Sequence, residues 1–304
     1  MNDQPIKKQT FLQGTAVLAM ATVLVKLMGF LFKVPLNNII GEDGFGYFNT
    51  AYDVYNVLLM ISTTGLPVAV SRMISQAQAL DNYAQIRKIY SVSMKVFLTI
   101  GVVGTLIMLV FCRQLSVMVT TNENSWAAIA ALSPCVLLIC IVSAHRGFFQ
   151  GQGNMAPTAV SQIIEALCKL FLGLGLAWLV MNRLGDGPLA AAGSIAGVTI
   201  GTVLSALYLF CKTRRRTREL CRAEGQARPA GETLKRLLAI AVPITLGAAG
   251  LQIINLFDAA TVMNRLINAA GYTQERADVV KGVYNYCQTI FNFPCAFICL
   301  LYTS

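Results

Sequence analysis

Residues 146–157 read RGFFQGQGNMAP, a glycine-rich stretch set between two of the most apolar runs in the chain. Gly151, Gly153 and Ala156 within it match G-x-G-x-x-A, a pattern that in nucleotide-binding domains turns the backbone around a pyrophosphate. That chemistry needs a short strand before the glycines and a βαβ unit around them. What precedes them, 126–144, is too long for a strand and suits a helix crossing ~30 Å of hydrocarbon. Composition points the same way. Hydrophobic residues make up 56% of the 304 and charged residues 12%, with a mean hydropathy of +0.61. A soluble domain covers its surface with charge on about a quarter of its residues. This chain lacks that cover, so its solvent is lipid, and the glycine stretch reads as a turn between two membrane spans.

Apolar windows of about 20 residues lie near 11–39, 47–70, 92–111, 126–145, 156–181, 188–211, 235–263 and 279–303. In lipid, backbone groups must be bonded within the segment or in a closed barrel. Barrel strands alternate polar and apolar residues; VFLTIGVVGTLIMLVF at 96–111 does not. The expected fold class is therefore all-α, a polytopic helix bundle. Basic residues orient it. With the N-terminus inside, the inner segments hold Lys7, Lys8, Arg72, Arg87, Lys88, Lys95, Arg146 and the 212–236 loop, which has nine Lys or Arg against three Glu. The outer segments hold Arg113, Arg183, Arg265, Arg276, Lys281 and the acidic GEDG at 41–44. This bias predicts a cytoplasmic N-terminus, with 146–155 and 212–236 inside and 41–46 outside. The net charge of +10 then serves orientation and contact with anionic membrane lipids rather than nucleic acid. The first apolar segment is too long for a cleaved leader and lacks a small-residue cleavage pattern. The nine cysteines contain no C-x-x-C pair and read as small apolar fillers, without a metal, cofactor or redox role.

Gly193, Gly197 and Gly201 form G-x-x-x-G-x-x-x-G, a smooth stripe read as a structural, intramolecular helix seam. Pro35, Pro67, Pro243 and Pro294 fall inside spans, where proline bends a helix. VPLNNIIG at 34–41 resembles TVMNRLIN at 261–268, both closing long helices that begin near basic residues. A six-helix lobe over 1–211, a basic cytoplasmic linker over 212–234 and the first two helices of a second lobe over 235–304 are expected. Repeats of this kind place a substrate site near the midplane between the halves. The chain closes inside the apolar run FNFPCAFICLLYTS, from which a truncated reading frame is expected.

Three stretches together resemble the polysaccharide-type flippases of the multidrug/oligosaccharidyl-lipid/polysaccharide exporter superfamily, especially the stage V sporulation protein B branch. They are VKLMGFLFKVPLNNIIGEDGFGYFNTAYDVYN at 25–56, ISTTGLPVAVSRMISQ at 61–76 and RGFFQGQGNMAPTAVSQIIE at 146–165. The resemblance implies two lobes, with more helices than this chain contains, and a glycine turn on the cytoplasmic side between the fourth and fifth helices. It implies a bacterial plasma-membrane flippase rather than an enzyme. Undecaprenyl-linked oligosaccharide or a cell-wall precursor would move from the inner to the outer leaflet, with polysaccharide-synthesis enzymes as possible partners. Related lipid II flippases carry basic residues on the first helix, around a central cavity. Lys26 falls on such a position and Lys33 is displaced from one by a residue. Where those relatives have an acid–base pair on the eighth helix, this chain has Gln288 and Thr289.

Lys26, Lys33, Asp53, Glu165, Lys169 and Asp258 fall within the spans, away from the basic residues at their ends. A charge at the bilayer centre costs roughly 2.5–3.5 kcal/mol, so each should face a wet interior or a partner. Glu165 and Lys169 are one helical turn apart and are expected to neutralise each other in a structural role. Lys26 and Lys33, two turns apart, share a face with Gly29. Asp53 reaches the depth of Lys33 and could pair with it. No partner for Lys26 is evident. Lys26, Lys33, Asp53 and Asp258 are the candidate cavity residues, with Lys26 a candidate for the pyrophosphate of a polyprenyl lipid. Asp53 and Asp258 leave open a cation-coupled multidrug exporter. A membrane enzyme acting on polyprenyl-linked sugars would need acid–base or metal-binding groups near a membrane face. The sole histidine, His145, reads instead as a boundary residue without a nearby acid, and GEDG as an exposed turn.

Overall fold

The computed structural model describes residues 11–60, 65–120, 126–220, 226–273, 276–277, 279–284 and 287, and the described residues are helical, with short turns between. The Phe11–Met60 stretch is helical on both sides of Gly41, whose φ of 71° and ψ of 176° break it. That backbone conformation is essentially confined to glycine. It divides α1 (11–40) from α2 (42–60) at the GEDG turn. Then follow α3 (Leu66–Ala79), α4 (Tyr83–Val110), α5 (Cys112–Thr120) and α6 (Trp126–Gly151). The remainder comprises α7 (Ala156–Leu184), α8 (Gly187–Leu220) and α9 (Ala230–Asn268). Within α7, Lys169–Gly173 winds as a π-helical turn. Among the described residues, five helices are long and apolar enough to cross a membrane.

The all-α expectation holds, with three differences in detail. The predicted span over 47–70 is two helices. A new one begins at Leu66 with Pro67 in its first turn, where the missing N–H leaves no bond unmade. The helix predicted from 92 starts at Tyr83, where the Asn82 side chain accepts from the Gln85 N–H at 3.0 Å and satisfies one of the orphan donors of a helix start. The basic segment is largely not a loop. Residues 212–220 prolong α8, and α9 begins at Ala230, because Lys and Arg are good helix formers and nothing in that run breaks one. Pro294, Gln288, Thr289 and most of the 279–303 span lie outside the described residues.

The glycine stretch joins α6 to α7 with no strand before it. The N–H groups of Gln152 and Asn154 both donate to the Phe149 carbonyl, at 3.1 and 3.0 Å, and Gly153 takes a φ of 72°. A Cβ at Gly151 would stand 2.8 Å from the Ser71 carbonyl of α3, and Ser75 donates to the Gly151 carbonyl at 2.9 Å. The glycines are spent on close helix packing and a helix end, which accounts for the fingerprint without a nucleotide.

Helix α6 is the pivot of the bundle. Its most apolar window is 61% buried, against 11% for those of α1 and α7. One apolar cluster, with Phe32, Leu36, Phe48, Ile129 and Leu132, joins α1, α2 and α6. A second, with Val70, Ile89, Phe148, Leu209 and Leu237, joins α3, α4, α6, α8 and α9. The glycine stripe of α8 lies against α7. A Cβ at Gly197 would come within 2.5 Å of the Gly173 Cα, and one at Gly201 within 2.8 Å of the Cys168 Cβ. The π turn brings Gly173 to that seam, so the two backbones meet with no side chain between them.

Candidate functional site

Helices α1, α2, α6, α7 and α8 form an open-sided cavity of about 390 Å³, lined among others by Thr22, Gly29, Tyr52, Tyr55, Arg146, Gln162, Glu165, Lys169 and Thr202. Its size falls in the range of small-molecule sites, about 300–1,000 Å³. Charge enters it from α6 and α7. Arg146, one turn before the end of α6, donates from its terminal NH2 to Glu165 Oε2 and from Nε to Ser161 Oγ, both at 2.9 Å. The Ser161 hydroxyl in turn donates a hydrogen bond to the Thr158 carbonyl at 2.7 Å. The guanidinium is a rigid fork, and here its prongs take two acceptors four residues apart on one face of α7.

This overturns the expected pairing of Glu165 with Lys169. Glu165 is engaged by Arg146, and the Lys169 ammonium is turned toward aromatic faces. Its Nζ stands 4.7 Å from the ring centre of Tyr52, 4.8 Å from that of Phe32 and 6.0 Å from that of Phe48. Aromatic faces attract a cation electrostatically and hold it without cancelling its charge. Phe32 and Phe48 are themselves fully buried, so this cradle is built into the core where α1 and α2 meet.

Lys33 of α1 is close enough to Lys169 for the two positive charges to act on each other. Lys26 is exposed, one turn from Thr22 and from Gly29, which line the cavity. The Asp53 side chain, and with it the expected Lys33–Asp53 contact, lies outside the described residues. Asp258 is exposed on α9 and is not brought to this cavity. Sequence reasoning missed Arg146, read only as a topology marker, together with Tyr52, Gln162 and Thr202. A charge so near a span end, three residues after the last strongly apolar run, looks like an ordinary interfacial residue; only the approach of α7 gives it a partner.

His145 is also corrected. It is fully buried, and its Nδ1 lies 3.1 Å from the Tyr90 hydroxyl and 3.0 Å from the Thr213 hydroxyl, tying α6 to α4 and α8. Buried Cys135 sits between the Tyr55 hydroxyl at 3.7 Å and the Thr202 hydroxyl at 3.4 Å. Among the described residues, no three His, Cys, Asp or Glu converge as metal ligands.

Comparison with known proteins places this architecture. The chain is 27% identical over 290 residues to stage V sporulation protein B of Bacillus subtilis (strain 168), a match covering 94% of this chain and 55% of that protein. It is 26% identical over 297 residues to lipid II flippase MurJ of the same organism, covering 93% of this chain and 54% of that one. The chain therefore spans about half the length of these relatives. In fold it is similar to a multidrug resistance MATE family transporter of the MOP superfamily in its outward-facing conformation, with a TM-score of 0.65 at 16% identity over 96% of this chain and 69% of the other. The model of one family, described as polysaccharide biosynthesis protein, matches residues 11–304. With its long apolar helices, its helix-bundle fold and a family match over nearly its whole length, this multi-pass membrane chain belongs to the polysaccharide biosynthesis protein family.

Proposed function

We propose that this chain forms the substrate-holding lobe of a flippase for polyprenyl-linked sugars, carrying undecaprenyl-(pyro)phosphate-linked oligosaccharide or a cell-wall precursor across the bacterial plasma membrane. The observation that carries this is the state of Lys169. Lys169 lines the cavity with its ammonium beside aromatic rings, while the nearest acid in sequence, Glu165, is held by Arg146. Among the described side chains the cavity thus combines Arg146, Lys169 and nearby Lys33 with one carboxylate, Glu165. A cationic pocket suits a phosphate far better than a cationic drug, which favours this reading over a multidrug exporter. Lys26, exposed one turn from the lining residues Thr22 and Gly29, adds positive charge near the cavity. Lysine serves as a point charge that needs no fixed phosphate geometry, which suits a cargo that must be released on the far side.

Transport proceeds by alternating access, with this lobe rocking against a second one around the cavity. The N-terminus and the 146–155 and 212–236 segments face the cytoplasm, as the positive-inside bias requires. Outward-facing arginines at the end of α8, Arg214, Arg215 and Arg218, meet anionic headgroups there. Binding by the purified chain in detergent provides the test, with undecaprenyl pyrophosphate compared with uncharged undecaprenol. Undecaprenyl pyrophosphate should bind at least tenfold tighter, and Lys169→Gln should remove most of that difference. Equal affinity for the two lipids would refute the proposal.

A further inference from the structure

The cavity is polarised along α7. Gln162 and Glu165 are three residues apart, so their side chains share one face, and both line the cavity. Each also has one side-chain oxygen, Oε1, that is buried and has no hydrogen-bond partner among the described residues. In Glu165 the other oxygen is committed to Arg146 at 2.9 Å, so the carboxylate is fixed in rotation. Its remaining lone pairs are held in place and cannot turn toward solvent. Buried acceptors without a donor are costly. Two of them, three residues apart on side chains that line a cavity, call for hydrogen-bond donors that the described residues do not supply.

Lys169 marks the other end. It lies seven residues beyond Gln162, about 10 Å along the helix at 1.5 Å per residue, and it presents only donors. An anion cannot occupy both ends. At the Gln162–Glu165 end a phosphate would meet a carboxylate, and the charge of Arg146, the cation described there, is offset by its ion pair with Glu165. A metal cation would suit the acceptors but would stand beside the Arg146 guanidinium, a like charge. The ligand that satisfies this end is neutral and rich in O–H or amide N–H groups.

We propose that Gln162 and Glu165 form a sugar-reading edge, accepting hydrogen bonds from the hydroxyl or acetamido N–H groups of the first sugar while Lys169 and Lys33 hold the adjoining pyrophosphate. This rests on the polyprenyl-linked cargo proposed above and assigns its two chemical halves to two ends of one cavity. Arg146 is then a positioning residue, since it aims the Glu165 carboxylate and does not itself touch the sugar.

The test is binding of two probes to the purified chain in detergent: undecaprenyl pyrophosphate, and the same lipid bearing a single N-acetylglucosamine. Wild type should bind the glycosylated lipid the tighter, by roughly tenfold or more for a donor meeting a charged acceptor. Gln162→Leu removes one acceptor at similar volume. Glu165→Gln keeps an oxygen for Arg146 and turns the presented atom from acceptor to donor. Both variants should lose the preference for the sugar and bind the bare pyrophosphate at least as tightly as wild type, since Glu165→Gln removes a negative charge from the cavity, a split that a merely misfolded cavity would not produce. If wild type binds both lipids equally, or both variants keep the preference, the sugar-reading edge is refuted while the pyrophosphate reading stands. If the bare pyrophosphate lipid binds no better than undecaprenol, the underlying reading fails and this inference falls with it. A variant that loses both probes is resolved by Gln162→Glu, which keeps an acceptor at 162: loss of the sugar preference in that variant too counts against the proposal.

Discussion

Replacing Arg146 by methionine isolates the ion pair that organises the cavity. The pair lies at 2.9 Å with side chains only 13% and 22% exposed, so solvent screens it weakly. Removing one partner of a fully buried pair costs about 3–5 kcal/mol, because the other charge is left without compensation. The residual exposure of Glu165 lowers the expected cost of Arg146→Met to about 2–3 kcal/mol. Glu165 would keep no hydrogen bond among the described residues, since Oε1 already has none. Arg146→Met with Glu165→Met should recover most of the loss, as apolar replacements of a buried pair are often neutral. The coupling energy from that cycle is therefore expected at about 1.5–3 kcal/mol. A parallel cycle between Glu165 and Lys169 should give less than about 0.5 kcal/mol, because Lys169 is held by rings rather than by the carboxylate. Reversible unfolding in mixed micelles, titrated with a denaturing detergent, measures both cycles. A larger coupling for Glu165–Lys169 than for Arg146–Glu165 would refute the arrangement of charges described above.

Gly197→Ala should cost about 1–3 kcal/mol in the same assay, because its Cβ would fall 2.5 Å from the Gly173 Cα of α7; Gly29→Ala, with nothing within 4 Å, should change stability little. Lys26→Gln and Lys33→Gln should each weaken undecaprenyl pyrophosphate binding without loss of membrane insertion, and Lys26→Arg should keep part of it; unchanged affinity in the double glutamine variant would return both lysines to a structural role. Single cysteines placed in a cysteine-free background report topology: Glu42→Cys should react with an impermeant thiol reagent in intact cells, and Arg218→Cys only after permeabilisation. The opposite pattern would reverse the orientation.

The sequence by itself determined the solvent and the fold class. A chain with 12% charged residues and apolar runs of membrane length has helices as its main recourse in lipid, since every backbone group must be bonded locally. The same reasoning exposed the glycine fingerprint as a turn, because a nucleotide site needs a strand where this chain has a helix. The stripe Gly193, Gly197 and Gly201 was legible as a contact face for a comparable reason: spacing alone puts the three on one side of α8.

Only the tertiary structure decided which charges meet. Glu165 and Lys169 are one turn apart, and within a single helix that spacing does predict a pair. Their true neighbours come from other helices: Arg146 from α6, 19 residues before Glu165, and Phe32, Phe48 and Tyr52 from α1 and α2, more than 100 residues before Lys169. Periodicity reports which face of a helix a residue occupies and nothing about what the fold lays against that face. His145 shows the same limit: it has no acid near it in sequence, and its partners Tyr90 and Thr213 stand 55 and 68 residues away. The strong local terms, hydropathy and backbone bonding, act over a few turns and are written in the sequence. The pairing of buried charges depends on distances between helices, and those are set only when α6, α7 and α8 close on one another.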